Sequence, residues 1–222
     1  MRKASIIIKI SLFFAVAFAV TAQSNGKSIL IIGDSNTEHG YITNAHADTL
    51  RKFYGVSDTG SGYMPLNAAF YLLVYHPSLV PGITVSYPTS WKLYDMFEGT
   101  RLAPPYLSPN GHWLKTASQS VSATVTFRDN GVNVYWLTDS LGGSFQVIID
   151  NQVKAYVPTG GKHGVEKTSV TGLTSGTHTM LLKSLTIPAQ GGVALLGFDA
   201  HSDRTGQTGR PVVHNWGNGY AA

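Results

Sequence analysis

A chain of 222 residues with 43 % hydrophobic and 13 % charged side chains can bury a core and is too apolar to stay disordered. It has no cysteine, which excludes disulfides, thiolate metal sites and the cysteine-linked anchor of a bacterial lipoprotein. Its formal charge of +4 rests largely on Arg2, Lys3 and Lys9; without them 13 basic residues face 12 acids, and no basic run points to nucleic acid.

Those three cations open a leader. The apolar run from Ile10 to Val20 follows them, and Val20-Thr21-Ala22 supplies the small residues a signal peptidase reads. Residues 1–22 are therefore expected to be a secretory signal peptide cleaved after Ala22. The alternative, a membrane anchor, needs about 20 apolar residues, and this run is shorter. No stable membrane insertion is expected after cleavage. An exported chain without cysteine fits a bacterial periplasmic or secreted setting.

Ser28-Ile29-Leu30-Ile31-Ile32 is a β-branched apolar run that reads as a strand buried on both faces, as in a parallel sheet. Gly33 ends it. From Tyr41 to Phe53 the positions Ile42, Ala45, Leu50 and Phe53 form a loose helical face, with Gly55 as a stop. Strand, turn and helix are the opening unit of an α/β domain. From Ser57 to about Leu102 periodicity is lost among glycines, prolines and aromatics, which reads as long loops with short elements. From about Ala103 to Phe198 the pattern is β. Runs over 121–127, 132–137, 145–149, 153–157, 178–185 and 193–198 are separated by turns such as Asp129-Asn130-Gly131 and Asp150-Asn151-Gln152. This spacing indicates an antiparallel β-sandwich. The last segment, Pro211–Ala222, repeats the opening pattern, with Val212-Val213 followed by the glycine-rich Asn215-Trp216-Gly217-Asn218-Gly219.

The chemistry centres on Gly33-Asp34-Ser35-Asn36. A serine hydroxyl attacks a carbonyl when a base takes its proton and donors receive the oxyanion. A serine just past a buried strand, at the start of a helix, is exposed above the sheet edge beside unpaired backbone N–H groups. Gly33 permits the tight turn, Asp34 can brace it, and Asn36 can add a polar contact. The plainer reading is a turn with an N-cap; the position directly after an apolar strand favours the nucleophile.

At this point the sequence resembles the SGNH hydrolase, or GDSL esterase, superfamily. Gly33-Asp34-Ser35-Asn36 is similar to its first motif. Val212-Val213-His214-Asn215-Trp216-Gly217-Asn218-Gly219 is similar to its second, and Gly60-Ser61-Gly62-Tyr63-Met64-Pro65 to a loop of one exported subgroup. The resemblance implies Ser35 as nucleophile and the N–H groups of Ser35 and Gly217 as oxyanion hole. Asp34, Asn36, His214, Asn215 and Asn218 would line the site. The implied fold is a partial flavodoxin-like α/β core with a parallel sheet, interrupted by an antiparallel β-sandwich of jelly-roll or carbohydrate-binding-module type. The implied division is 23–102 for the first part of the core, 103–198 for the insert and 199–222 for the resumed core. The implied substrate is an acylated, chiefly O-acetylated, polysaccharide or peptidoglycan, with no cofactor and no metal.

Two family motifs are not found: the Gly-x-Asn-Asp that supplies an oxyanion asparagine, and the Asp-x-x-His that supplies the base. The resemblance therefore implies a truncated chain, weakly active or inactive. Local substitutes are poor. His201 is two residues from Asp199, one short of the family spacing, and reads as a surface turn. His39 reads as a solvated first-turn residue, and His178 as structural. Asp150, Asp199 and Asp203 read as turn formers. Trp91, Trp113, Trp136 and Trp216 could stack on sugars, with core packing the commoner role. Two other readings stay open: a carbohydrate-binding or surface-adhesion protein using the sandwich, and acetyl transfer in place of hydrolysis.

Overall fold

The structure is a computed structural model that describes residues 19–23, 26–33, 62–69, 73–74, 77, 82–95, 112–185, 191–201 and 212–217. Its layers follow from strict alternation. Along β7 (Ser122–Arg128) Ala123, Val125 and Phe127 point into a core, and Ser122, Thr124 and Thr126 point away. A period of two puts alternate side chains on opposite faces of a strand, so such a segment buries one face. β12 (Thr177–Ser184) does the same with His178, Met180 and Leu182, and β9 (Ser144–Ile149) with Phe145, Val147 and Ile149.

These strands join β10 (Gln152–Pro158) and β4 (Thr84–Ser86) in a five-stranded sheet ordered β10-β9-β12-β7-β4. Facing it is a six-stranded sheet. It runs from β11 (Gly164–Val170) through β8 (Gly131–Thr138), β13 (Val193–His201) and β6 (His112–Thr116) to β5 (Lys92–Asp95). The remaining strand, β3 (Gly62–Pro65), also pairs with β13, beyond the end of β6. All pairings in both sheets are antiparallel. Between them lies the main core, with Phe127, Phe145, Phe198, Leu114, Ile149, Met180, Leu182 and Leu195 out of water. Each such side chain contributes roughly 1.5–3 kcal/mol through burial.

Tight turns fix the register. Asp150 and Asn151 link β9 to β10 with φ of 49° and 65°. Two consecutive left-handed residues make the turn that matches strand twist, and Asp and Asn tolerate it better than most. In β13 the pairing with β8 slips between Leu195 and Gly197. A Cβ at Gly197 would lie 2.4 Å from the Met64 carbonyl oxygen and 2.5 Å from the Tyr63 ring, so this glycine is what lets β3 close on β13.

A separate three-stranded sheet holds β1 (Ala19–Gln23), β2 (Gly26–Gly33) and β14 (Val212–Gly217) in the order β1-β2-β14. β1 pairs with β2 antiparallel, and β14 pairs with β2 parallel. β3 also lies against β14, which ties this sheet to the sandwich.

The expected α/β core is corrected here. The described residues are almost entirely antiparallel strands, they form a β-sandwich, and no helix stands among their named elements. The apolar run of β2 suggested a strand flanked by parallel neighbours. One neighbour is instead β1, which precedes β2 in the chain and pairs with it antiparallel. An apolar run reports burial, and burial is the same whichever way the neighbour runs. The helix expected over 41–53 lies outside the described residues.

Candidate functional site

The parallel register of β2 and β14 runs from Ser28 opposite Val212 to Gly33 opposite Gly217. Both strands thus end together, and adjacent strands lie about 4.8 Å apart. The chain that leaves Gly33 carries Asp34-Ser35-Asn36, and the chain that leaves Gly217 carries Asn218-Gly219. Asp34, Ser35, Asn36 and Asn218 lie outside the described residues. His214 and Asn215 sit within β14, opposite Leu30 and Ile31. His214 is therefore three residues back from Gly217, about 10 Å along the strand.

Asp199 and His201 fall on the same face of β13, but they do not pair. Asp199 is 4 % exposed, and its carboxylate accepts from Tyr135 Oη at 2.5 Å and from Asn133 Nδ2 at 2.8 Å. Asn133 Oδ1 in turn accepts from Ser169 Oγ at 2.6 Å. A Cβ at Gly131 would meet the His201 ring at 2.5 Å, so that ring lies over the glycine instead. Asp199 and His201 are strand residues, not the surface turn the sequence suggested. Burial, then the charge and hydrogen bond of Asp199, then Tyr63, push the Tyr135 phenol far above its ordinary value. It stays protonated and acts as a donor.

His178 is 3 % exposed and spans two loops. Nδ1 lies 2.6 Å from Asp150 Oδ2, and Nε2 lies 2.7 Å from the Thr174 carbonyl. Both partners are acceptors, so the doubly protonated ring satisfies both bonds. Burial alone pushes the ring down. The Asp150 hydrogen bond, the Thr174 carbonyl and the Asp150 charge outweigh it, and the value sits above the ordinary one. This clamp joins the β9–β10 turn to the loop before β12. His163 approaches Asp139 at 3.9 Å, with both half-exposed.

Sequence reasoning missed a hollow on the far face of the six-stranded sheet. Trp113, Leu137 and Leu196 form a second buried cluster there, with Tyr94, Tyr135 and Ala194 against it. In register, Lys115 and Leu137 flank Ala194 on either side. The small alanine between longer neighbours leaves a cavity of about 50 Å³. Trp113, Lys115 and Leu137 wall it, and Thr138, Asp139 and glycines 142, 191 and 192 rim it. Tyr94 stacks on Trp113, with centroids 5.6 Å apart and planes 7° apart. The pairing of Tyr94 with Trp113 depends on register across residues 96–111, which no local pattern encodes. Trp91 and Trp136 belong to the main core. Among the described residues no group of three or more His, Asp or Glu could hold a metal ion.

No protein-family model matches this sequence, and no curated protein matches it. Among solved structures the chain is similar to a family two carbohydrate esterase from Clostridium thermocellum in complex with cellohexaose. The identity is 22 % and the TM-score 0.38, over 53 % of this chain and 31 % of that one. It is similar to a two-domain esterase active on acetylated mannans at 10 % identity and TM-score 0.38, over 53 % and 35 %. It is similar to a family 6 carbohydrate-binding module from Clostridium cellulolyticum in complex with xylose at 12 % identity and TM-score 0.34, over 52 % and 90 %. The chain spans about a third of the length of these two esterases.

Proposed function

We propose that this chain carries the nucleophile of an exported serine esterase of the SGNH kind, acting on acyl, chiefly acetyl, esters of a carbohydrate polymer. The observation that supports it is the register of Gly33 with Gly217 at the common end of β2 and β14. Ser35 follows the first glycine by two residues, and Gly217 is the residue whose N–H the reading needs as an oxyanion donor. Attack by Ser35 Oγ on the ester carbonyl forms a tetrahedral intermediate, whose oxyanion the N–H groups of Ser35 and Gly217 receive. Collapse releases the sugar hydroxyl and leaves an acyl-serine, which water then hydrolyses. A base must take the Ser35 proton and deliver it to the departing sugar oxygen. His178 is committed to Asp150 and Thr174, and the Asp199 carboxylate to Tyr135 and Asn133.

In this reading residues 1–22, which include all of β1 except Gln23, direct export to the periplasm or medium, and N-terminal sequencing of the exported protein should begin at Gln23. Turnover of 4-methylumbelliferyl acetate tests the chemistry. The expected result is slow hydrolysis that falls by about 100-fold or more in Ser35→Ala, the scale of losing an activated nucleophile. Equal rates for the two proteins would overturn the assignment.

A further inference from the structure

The cross-strand pair Lys92–Lys115 is out of keeping with a purely structural surface. The two lysines are directly opposite in the β5–β6 register, on the face that carries Tyr94 and Trp113. Like charges directly opposite destabilise a sheet. Among the described residues no carboxylate pairs with either ammonium. Lys92 is exposed, and Lys115 lines the hollow over Ala194. The site therefore offers positive charge beside an apolar floor and an aromatic wall.

The size of the hollow narrows the occupant. A water needs roughly 10–15 Å³ of such space. A cavity of about 50 Å³ thus takes a carboxylate-sized substituent and its hydration, not a whole sugar ring. The ring would rest on the apolar wall, since pyranose C–H faces suit aromatic surfaces. Asp139 stands at the far rim with its Oδ1 held by Leu141 N at 3.0 Å and Ser140 Oγ at 3.3 Å. Its remaining lone pairs can accept from sugar hydroxyls, while its charge keeps a carboxylate on the lysine side.

We propose that the hollow over Ala194 is a subsite for an acidic sugar, a hexuronate unit of the polymer, with Lys115 and Lys92 taking its carboxylate. This rests on the reading that the substrate is a carbohydrate polymer. It adds that the polymer is anionic, and it places a recognition point in the sandwich, separate from the Gly33–Gly217 end.

Titration calorimetry of the full chain with tetragalacturonate tests it, with cellotetraose as the neutral control. Neither probe carries an ester, so the result does not depend on Ser35. Tetragalacturonate should bind saturably, and cellotetraose about 10-fold more weakly or not at all, as expected when a charge-assisted contact is lost. Lys115→Met should weaken binding about fivefold or more, and Lys92→Met less, because an exposed ammonium is screened. Lys115→Arg should keep most of it. Ala194→Leu, which fills the hollow without removing charge, should also abolish binding. The idea is overturned if tetragalacturonate does not bind, if the neutral tetramer binds equally, or if Lys115→Met and Ala194→Leu, folded by near-ultraviolet dichroism, bind like the parent. Saturable uronate binding without Ser35-dependent ester turnover would remove the esterase reading and leave the subsite standing.

Discussion

Leu196 of the six-stranded sheet and Leu181 of the five-stranded sheet both point away from the shared core, yet Leu196 is 1 % exposed and Leu181 is partly in water. The same contrast runs along both sheets. Beyond β13 lie Trp113, Leu137 and the buried Asp199, and beyond β12 lie Thr124, Thr126, Thr179 and the exposed Val153 and Tyr156. A sheet with one wet face needs only alternation. A sheet apolar on both faces must also satisfy any polar group it buries, and the chain Ser169–Asn133–Asp199–Tyr135 does so. The hollow and both lysines belong to the second kind of face.

Truncation should expose this difference most strongly. Leu196→Ala should cost about 2–5 kcal/mol in urea denaturation, as for a buried leucine, and Leu181→Ala about 1 kcal/mol or less. Equal costs would dissolve the distinction between the faces. Next in size is Asp199→Ala, which leaves the Tyr135 hydroxyl and Asn133 amide without their acceptor and should cost about 1–3 kcal/mol. The milder Asp199→Asn removes the charge but keeps the shape. Ultraviolet titration should then show Tyr135 ionising at lower pH than in the parent, because a carboxylate that opposed the phenolate has gone.

The smallest effect concerns the His178 clamp on the other sheet. Its value is raised above the ordinary ~6.5, so its contribution is complete below that pH and is lost as pH rises through the raised value. Asp150 is lowered, chiefly by its bond to His178 and then by Thr179 N–H; Lys154 adds a small pull. Its contribution is present above the ordinary ~3.9 and is lost as pH falls through the lowered value. The β9–β10 turn should therefore be firmest between the two. Unfolding of the parent and His178→Gln across about pH 5–9 should converge toward the alkaline end. A constant gap would assign the clamp to packing against Phe127.

What the sequence disclosed depended on how each strand is buried. β7, β8, β9, β10, β12 and β13 were legible to within a few residues, and β7 and β12 show why: their alternation is complete. β11, Gly164–Val170, was not. It is an edge strand with most side chains in water, so no apolar rhythm marks it. β3, β4 and β5 fall in the stretch read as long loops with short elements, and none was singled out because strands of three or four residues carry too few positions for a period. The strand that leads to the candidate nucleophile was legible because its apolar run is contiguous, while Ser35 itself lies outside the described residues. Lys92, Lys115, Ala194 and Asp139 were not, because separate strands and a turn bring them together.

Fluorophosphonate labelling, with the modified peptide located by mass spectrometry, bears most directly on whether the residue past Gly33 is an activated hydroxyl. A single phosphonylated site is expected at Ser35, absent after denaturation and in Ser35→Ala. A native protein that stays unlabelled there, or is modified at another serine instead, would contradict it.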